Sequence, residues 1–289
     1  LALAAIMLVG MMVVSASAAS YNNLTDKDEI VNKDAVSMLV SLGIIEGKPD
    51  GSYGPTENVD RAQMAKMLSV IMNKGVDNSA LYQSVNSGLV DVNTNWAKGH
   101  INYCYTTGII AGRGNGKFDP SATVTALEAA KMLLVAVGYD PAIEGFEGAD
   151  WAINVSVRAD EQGIFEGFTK DLSAPLNRDD AALLIYNALD VEMIQSYTTN
   201  NYPIAYSDHR TILADKYGVI KVQGVVVANE WASLASDDGD AALKEGKTTI
   251  YNGEGIFSTT GNTTVSKEDA SLKTQTFNVS TPVDMLGKT

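Results

Sequence analysis

The chain has 289 residues, which is long enough for two domains of ordinary size. Apolar residues make up 45% and charged residues 19%, a composition typical of globular rather than disordered proteins. The formal net charge of -14 argues against non-specific binding to nucleic acid or to an anionic membrane surface. Cys104 is the only cysteine, so an intrachain disulfide is excluded, and its place in a helical pattern predicts a core position.

The N-terminal 18 residues have the pattern of a secretory signal peptide. Residues 1–14 are uncharged and apolar, and residues 15–18 (Ser-Ala-Ser-Ala) supply the small residues of a cleavage site. A membrane anchor or a buried helix is the alternative, but the run is shorter than the about 20 residues that a spanning helix needs. We expect residues 1–18 to be a signal peptide, clipped at its N-terminus because the initiator Met and the positive leader are missing. The mature protein is then secreted and has no membrane segment.

A pattern with a period of about 55 to 65 residues occurs three times and indicates one structural unit in three copies. Each copy has a Gly-Ile pair, which begins at Gly43, Gly108 or Gly163, and a polar helix start follows at a separation of 18, 18 or 15 residues. Trp96 and Trp151 each lie 12 residues before the glycine of their copy, and Val31 has this position in the first copy. The predicted copies are residues 21–78, 84–140 and 141–195.

Each copy is predicted to be two helices joined by a turn-rich loop. In the second copy we predict the first helix over residues 96–107, ended by the glycine in a left-handed cap. The loops at residues 47–55 and 112–120 contain an Asp-Gly or Asn-Gly turn followed by an aromatic residue, whereas the third loop is shorter and lacks this signature. The second helix has apolar residues at i, i+3, i+4 and i+7, and its start is capping-box-like in the first two copies.

Arg61 and Arg178 occupy the first position of the second helix in the first and third copies. A cation there is opposed by the helix dipole, so Arg is a poor choice for helix stability. Free backbone N–H groups at a helix start favour an anion, and a planar guanidinium can bind a carboxylate with two hydrogen bonds. An ion pair with a nearby Asp or Glu is the alternative, and these residues alone leave both interpretations open. The second copy has Ala126 at this position, which predicts at most two competent sites or one groove dominated by Arg61 or Arg178.

These repeats resemble the S-layer homology modules of bacterial envelope proteins, over residues 21–195. The resemblance rests on Asp91, Trp96, the Gly108-Ile109 turn, the loop Gly-Asn-Gly-Lys-Phe-Asp-Pro, and the helix start Val59-Asp60-Arg61-Ala62-Gln63, which is similar to the family's Ile-Thr-Arg-Ala-Glu. It implies a mainly α fold of three helix-loop-helix repeats in a pseudo-threefold arrangement.

The resemblance also implies non-covalent attachment to a secondary cell-wall polysaccharide on peptidoglycan, often through a pyruvate ketal on the sugar. The motif arginine is the expected carboxylate contact. The ligand-binding residues predicted in this way are Arg61, Arg178, Gln63, Asp91, Trp96 and Trp151. Core packing is the alternative for the two tryptophans. A second expected interaction is self-association of the protein in a surface layer.

The C-terminal third has a different character. Residues 196–215 begin with a polar stretch and are predicted to be a linker. β-Branched runs at residues 219–227, 248–251 and 274–279 then predict a small β-rich domain over residues 216–289, which we expect to be incomplete and whose function these residues do not indicate. Residues 237–240 (Asp-Asp-Gly-Asp) lack the spacing of a calcium loop, so an exposed acidic turn is the favoured interpretation there.

The sequence contains no pattern that predicts a catalytic site. His100 and His209 have no metal-ligand spacing, a Gly-x-Ser-x-Gly elbow is absent, and the Gly-rich loop at residues 112–116 lacks the ending of a phosphate-binding loop. We predict a non-enzymatic anchor in the cell wall or S-layer of a bacterium, with no metal, cofactor or nucleic-acid partner. The alternative is a secreted hydrolase of wall or other polysaccharides, anchored in the same way, whose catalytic region lies outside this chain.

Overall fold

The computed structural model describes residues 6–7, 20–219, 221–222, 224–234, 242–252 and 274–289. The described residues divide into a helical unit that ends at Ile212 and a smaller unit that begins at Leu213 and includes residues 6–7. In chain order the elements are β1 (Ile6–Met7), α1 (Lys33–Ser41), α2 (Arg61–Met72), α3 (Lys98–Thr106), α4 (Ala126–Val137), α5 (Trp151–Glu161), α6 (Arg178–Ala188), β2 (Ile194–Tyr197), β3 (Pro203–Ala205), α7 (Ile212–Tyr217), β4 (Lys221–Val222), β5 (Val225–Asn229), β6 (Thr248–Tyr251) and β7 (Thr274–Phe277).

The helical unit contains three successive helix pairs, α1–α2, α3–α4 and α5–α6. The second helix of each pair begins at a side-chain cap. At α2 the carboxylate of Asp60 accepts from the N–H of Gln63 at 2.7 Å, and the side chain of Gln63 accepts from the N–H of Asp60 at 3.0 Å. α4 has the same reciprocal box, and Asn177 caps α6 with its side chain alone. The first two starts confirm the predicted capping boxes.

The first helix of each pair ends at a glycine in the left-handed region, where an L side chain is strained. The three glycines have φ of +70°, +78° and +70°, at Gly43, Gly108 and Gly163. The backbone N–H of the following Ile44 then donates to the carbonyl of Leu39 at 2.9 Å, which satisfies a carbonyl at the helix end. The predicted glycine caps are therefore confirmed in all three pairs.

The short segments that precede the second helices hydrogen-bond to one another in a closed ring. The N–H of Val59 donates to the carbonyl of Leu176 at 2.8 Å, the N–H of Leu176 donates to Val124 at 2.8 Å, and the N–H of Val124 donates back to Val59 at 2.9 Å. Each of these residues is at most 1% exposed. Because buried peptide groups need partners, this ring holds the starts of α2, α4 and α6 beside one another.

The second helices bury the apolar stripes that their spacing predicts. Met64, Leu68 and Ile71 of α2 are at most 1% exposed, and Leu133 of α4 is 3% exposed. Full burial of one such side chain contributes about 1.5–3 kcal/mol. Cys104 of α3 is fully buried, as predicted, and burial raises the pKa of its thiol well above the usual range. The thiol therefore stays protonated.

The predicted linker at residues 196–215 is wrong, because most of this segment is ordered structure. β2 and β3 form an antiparallel hairpin, and α7 follows it. The Tyr197 hydroxyl donates to Glu144 and accepts from the N–H of Asp140, both at 2.9 Å. Asn201 occupies the turn with φ +63°, a conformation that Asn tolerates better than most residues. The Asn-Asn pair at residues 200–201 was the turn signal that the polar composition obscured.

The smaller unit contains a three-stranded antiparallel sheet in the order β5-β6-β7. Val226, Ile250 and Phe277, one from each strand, form its core, which agrees with the predicted β-rich character. β1 pairs with β4 in a separate two-stranded ladder. The predicted acidic turn at residues 237–240 lies outside the described residues, and so does the predicted signal peptide apart from residues 6–7.

Candidate functional site

A groove of about 230 Å³ lies on the helical unit and contains three of the predicted site residues. Gln63 comes from α2, Trp96 from the turn before α3, and Arg178 from the start of α6, so all three helix pairs contribute. We call it the Arg178 groove. Three cations and one anion line it, at Lys48, Lys66, Arg178 and Glu46. Lys48 is paired with Glu57, and Lys66 lies 3.8 Å from Glu46, so Arg178 is the lining cation that has no ion pair among the described residues and can attract an anionic ligand.

Arg178 lies across the loop of the first helix pair. Its Nε donates to the carbonyl of Tyr53 at 2.8 Å, and its Nη2 donates to the carbonyl of Glu46 at 3.2 Å. The guanidinium carbon lies 4.7 Å from the centroid of the Tyr53 ring. Among the described residues no carboxylate lies within ion-pairing distance of Arg178, and its Nη1 has no hydrogen-bond acceptor. The charge of Arg178 is therefore held in place by neutral groups and remains available to an anion.

The helix start itself does not provide an anion site, contrary to the sequence prediction. The N–H of Arg178 donates to the carbonyl of Glu57 at 2.8 Å, and the N–H of Asp179 donates to Pro55 at 3.1 Å. The next N–H is capped by Asn177. Because carbonyls of the first pair occupy these backbone donors, the contribution of the α6 start to the groove is the guanidinium of Arg178.

Trp96 is a surface residue, which excludes core packing for this tryptophan. It lies in the turn before α3, which begins at Lys98 rather than at the predicted residue 96, and its side chain is 58% exposed. The side chain of Asn95 accepts from the N–H of Ala97 at 2.8 Å and fixes this turn. An exposed indole in the lining of a groove that also contains cations offers a flat apolar face of the kind that packs against a sugar ring.

Arg61 has the same backbone contacts in the next loop along the chain. Its Nε donates to the carbonyl of Phe118 at 2.8 Å, its Nη2 donates to Ala111 at 2.9 Å, and its guanidinium carbon lies 4.4 Å from the Phe118 ring centroid. Arg61 is only 5% exposed, and burial, aided by the charge of Arg113, lowers its pKa to about 10. It is therefore less accessible to a ligand than Arg178.

Lys131 of the second pair and Trp151 of the third pair occupy the positions that correspond to Lys66 and Trp96 of the Arg178 groove. The Nζ of Lys131 is 5.8 Å from the Trp151 ring centroid, and Trp151 is half-buried. Burial lowers the pKa of Lys131, and the charge of Arg61 lowers it further against the opposing effect of Glu147. Glu128, at the position of Gln63, pairs with Arg113 at 2.7 Å. We call Arg61, Arg113, Glu128, Lys131 and Trp151 the Arg61 cluster.

Asp91 is outside the Arg178 groove and binds its own loop. Its carboxylate accepts from the N–H of Phe118 at 2.9 Å and from the N–H of Asp119 at 2.8 Å. Asp26 does the same in the first pair, accepting from Tyr53 at 2.7 Å and from Gly54 at 2.8 Å. The sequence prediction missed Asp26, although it lies 27 residues before Tyr53, the same distance that separates Asp91 from Phe118. These contacts favour a loop-holding role for both carboxylates.

The pKa of Asp26 and that of Asp91 are lowered, because the backbone hydrogen bonds outweigh the opposing effect of burial. A lowered folded pKa gives stability above the unfolded value of about 4, and this stability is lost as the pH falls through the folded pKa. We expect Asp26→Asn to lower the free energy of unfolding by about 1–2 kcal/mol at pH 7. The difference from the wild type should shrink below about pH 4.

Urea denaturation of the full chain at a series of pH values measures this difference. Asp28→Asn, at an exposed position two residues later, is the matched control and should leave stability unchanged. A deficit of Asp26→Asn that stays constant from pH 7 to pH 3 would contradict the ionised role of Asp26.

The third equivalent groove, to which all three copies contribute by the same rotation, lacks the features of the Arg178 groove at four positions. Ala126 stands in place of the arginine, and Val31 stands in place of the tryptophan. Leu183 occupies the position of Lys66, and Asp180 occupies the position of Gln63. Asp180 is paired with Lys170, and Ala126 is fully buried. The absence of a guanidinium agrees with the shortened third loop, which has no residue equivalent to Tyr53 or Phe118 for it to lie on.

Comparison with known families separates the first two helix pairs from the third. Residues 23–65 and residues 90–130 match the S-layer homology domain. Both S-layer homology segments include a loop, its aspartate clamp and the start of the second helix. The third helix pair is outside the matched residues.

Several surface proteins are similar to the chain. It is 28% identical to the cell surface protein of Thermoanaerobacter kivui over 234 residues, and this alignment covers 81% of this chain and 28% of the relative. It is 33% identical to the S-layer protein of Bacillus licheniformis over 113 residues, which are 39% of this chain and 12% of the relative. An amylopullulanase of Thermoanaerobacterium thermosulfurigenes is 31% identical to the chain over 172 residues, which are 55% of this chain and 9% of the relative.

The chain thus spans less than a third of each of these relatives. The S-layer homology segments and these similarities indicate a cell-surface or cell-wall protein. In the part of the chain that the structure describes, the helices are too short or too polar to cross a lipid bilayer.

Proposed function

We propose that residues 21–195 are three S-layer homology repeats, arranged around a pseudo-threefold axis, that anchor a surface protein to the bacterial cell wall. The anchor binds a secondary cell-wall polysaccharide non-covalently in the Arg178 groove. The observation that carries this proposal is the guanidinium of Arg178, which is fixed by carbonyls and lies beside the exposed Trp96 with no carboxylate partner among the described residues. The closed hydrogen-bond ring through Val59, Val124 and Leu176 supports the threefold arrangement.

The groove suits a sugar that bears a carboxylate. A carboxylate can accept from the unused Nη1 of Arg178. Lys66 adds a second positive charge to the groove, and its Nζ lies 3.8 Å from a carboxylate oxygen of Glu46. Trp96 supplies an apolar face for the sugar ring, and the amide of Gln63 adds polar capacity at the groove wall. A pyruvylated sugar combines these two properties, because its ketal places a carboxylate directly on the ring.

The third helix pair has a part in this proposal even though its own groove is altered. Arg178 comes from that pair, while the loop beneath it comes from the first pair and Trp96 from the second. A fragment with only the two matched segments would lack the guanidinium. We therefore infer that all three repeats are needed for one complete site.

Co-sedimentation with purified cell-wall sacculi tests the proposal. The full chain should pellet with native sacculi, and it should stay in the supernatant when the secondary polymers have been removed by acid. The same two preparations, mixed with a soluble protein of similar net charge, control for trapping. Equal pelleting of the chain with native and stripped sacculi would overturn the proposed ligand.

The similarity to an amylopullulanase favours a second candidate, in which the same anchor attaches a polysaccharide hydrolase to the wall. Both candidates share the binding step and differ in the polypeptide that the anchor carries. The gene sequence on either side of this segment separates them. Self-association in a surface layer remains a proposal that analytical ultracentrifugation of the full chain can test.

A further inference from the structure

Tyr53 contacts Arg178 in three different ways. Its hydroxyl donates to the main-chain carbonyl of Arg178 at 2.7 Å, and its own carbonyl accepts from the Nε of Arg178 at 2.8 Å. Its ring lies under the guanidinium at 4.7 Å. One side chain therefore fixes both the backbone and the charged end of the arginine.

Tyr53 is itself held rigidly. It is 1% exposed, and the carboxylate of Asp26 accepts from its N–H at 2.7 Å. Burial raises the pKa of the Tyr53 hydroxyl well above its usual range, so the hydroxyl remains a neutral donor at any pH of interest. The position of Arg178 thus depends on a buried chain of contacts that runs from Asp26 through Tyr53.

The Arg61 cluster provides an internal comparison. Phe118 occupies the position of Tyr53 and keeps two of the three contacts, because its carbonyl accepts from the Nε of Arg61 and its ring lies under the guanidinium. The hydroxyl is missing, so the main-chain carbonyl of Arg61 has no equivalent contact. The two arginines differ in this one hydrogen bond to the aromatic residue of the loop.

We propose that Tyr53 is a positioning residue for ligand binding, and that its hydroxyl makes the Arg178 groove the tighter of the two arginine sites. This inference rests on the proposed function of the groove. An arginine held at both ends loses little rotational freedom when an anion binds, so less of the binding free energy is spent on ordering it. The guanidinium of Arg61 has matching contacts with its own loop, but the aromatic residue of that loop donates no hydrogen bond to the backbone of Arg61.

Calorimetric titration of the full chain with soluble polymer, released from sacculi by enzymatic digestion of the peptidoglycan so that acid-labile ketals are kept, tests the role of Tyr53. Tyr53→Phe copies the chemistry of the second loop and should weaken binding by about threefold to tenfold. Phe118→Tyr is the matched reciprocal variant and should leave binding to the Arg178 groove unchanged. Thermal unfolding of both variants separates an effect on binding from a loss of folded protein.

A double-mutant cycle distinguishes positioning from a general structural role. If Tyr53 acts through Arg178, Tyr53→Phe should have little further effect in an Arg178→Lys background, which keeps a charge and measurable binding. An equal loss in both backgrounds, or unchanged affinity of Tyr53→Phe, would overturn the inference alone. Failure of the wild-type chain to bind the polymer would overturn the proposed function and this inference together.

Discussion

Replacing Arg178 with Ala is expected to weaken binding of the wall polymer by about 2–5 kcal/mol, or at least about 30-fold. The variant removes the guanidinium that faces the groove and leaves Lys48 and Lys66 as the lining cations. It also leaves the carbonyls of Tyr53 and Glu46 without their donor. Calorimetric titration of the full chain with soluble polymer measures the loss, and raising the salt concentration should weaken the residual binding further.

Arg61→Ala is the matched control for that experiment. It removes the same pair of hydrogen bonds to carbonyls, and it should cost a similar amount of folding stability, about 1–3 kcal/mol. Because Arg61 is 5% exposed, its loss should affect polymer affinity much less than the loss of Arg178. If the two variants lose affinity equally, the Arg178 groove is not the dominant site. If neither variant loses affinity, the arginine mechanism is wrong.

Gly99→Ala is expected to destabilise the helical unit by about 1–3 kcal/mol or more. A Cβ at Gly99 would lie 2.1 Å from the carbonyl oxygen of Ser79 and 2.7 Å from its carbon, and both are backbone atoms that cannot rotate away. Ala is favoured over Gly inside a helix by about 1 kcal/mol, so a net loss would show that the clash dominates. Trp96 lies just before this helix, so polymer binding should weaken as well.

Chemical denaturation followed by far-ultraviolet circular dichroism measures the change, because the described helices lie mainly in the helical unit. Lys98→Ala, one residue earlier in α3, is the control and should shift the free energy of unfolding by less than about 0.5 kcal/mol. An increase in stability for Gly99→Ala would contradict the close approach of α3 to residues 79–82.

The features predicted correctly from sequence are those with local causes. Glycine caps and capping boxes depend on residues within a few positions of one another, so Gly43 and the Asp60–Gln63 box could be recognised directly. Burial of Cys104 followed from its place in a helical pattern.

The features that failed depend on distant parts of the chain. The donors at the start of α6 were expected to be free, but carbonyls more than 100 residues away occupy them. The hairpin in the predicted linker is held by Tyr197, whose partner Glu144 is 53 residues away. Asp91 matched the family pattern, and its observed contacts with the backbone 27 residues further on could not be read from its neighbours; its contact with ligand stays a prediction. The residue types were recognised correctly, but their partners could not be inferred from neighbours in sequence.

The hydrogen-bond ring through Val59, Val124 and Leu176 has a consequence for the order of folding. Two of its three bonds join consecutive helix pairs, but the bond from Val59 to Leu176 joins the first pair to the third and spans 117 residues. Closing so long a loop costs more chain entropy than pairing neighbours, and contacts of this kind slow folding. The Arg178 groove also requires contact between the first and third helix pairs. A nascent chain therefore cannot assemble the groove until residue 178 has been synthesised, so competence to bind appears late and in a single step.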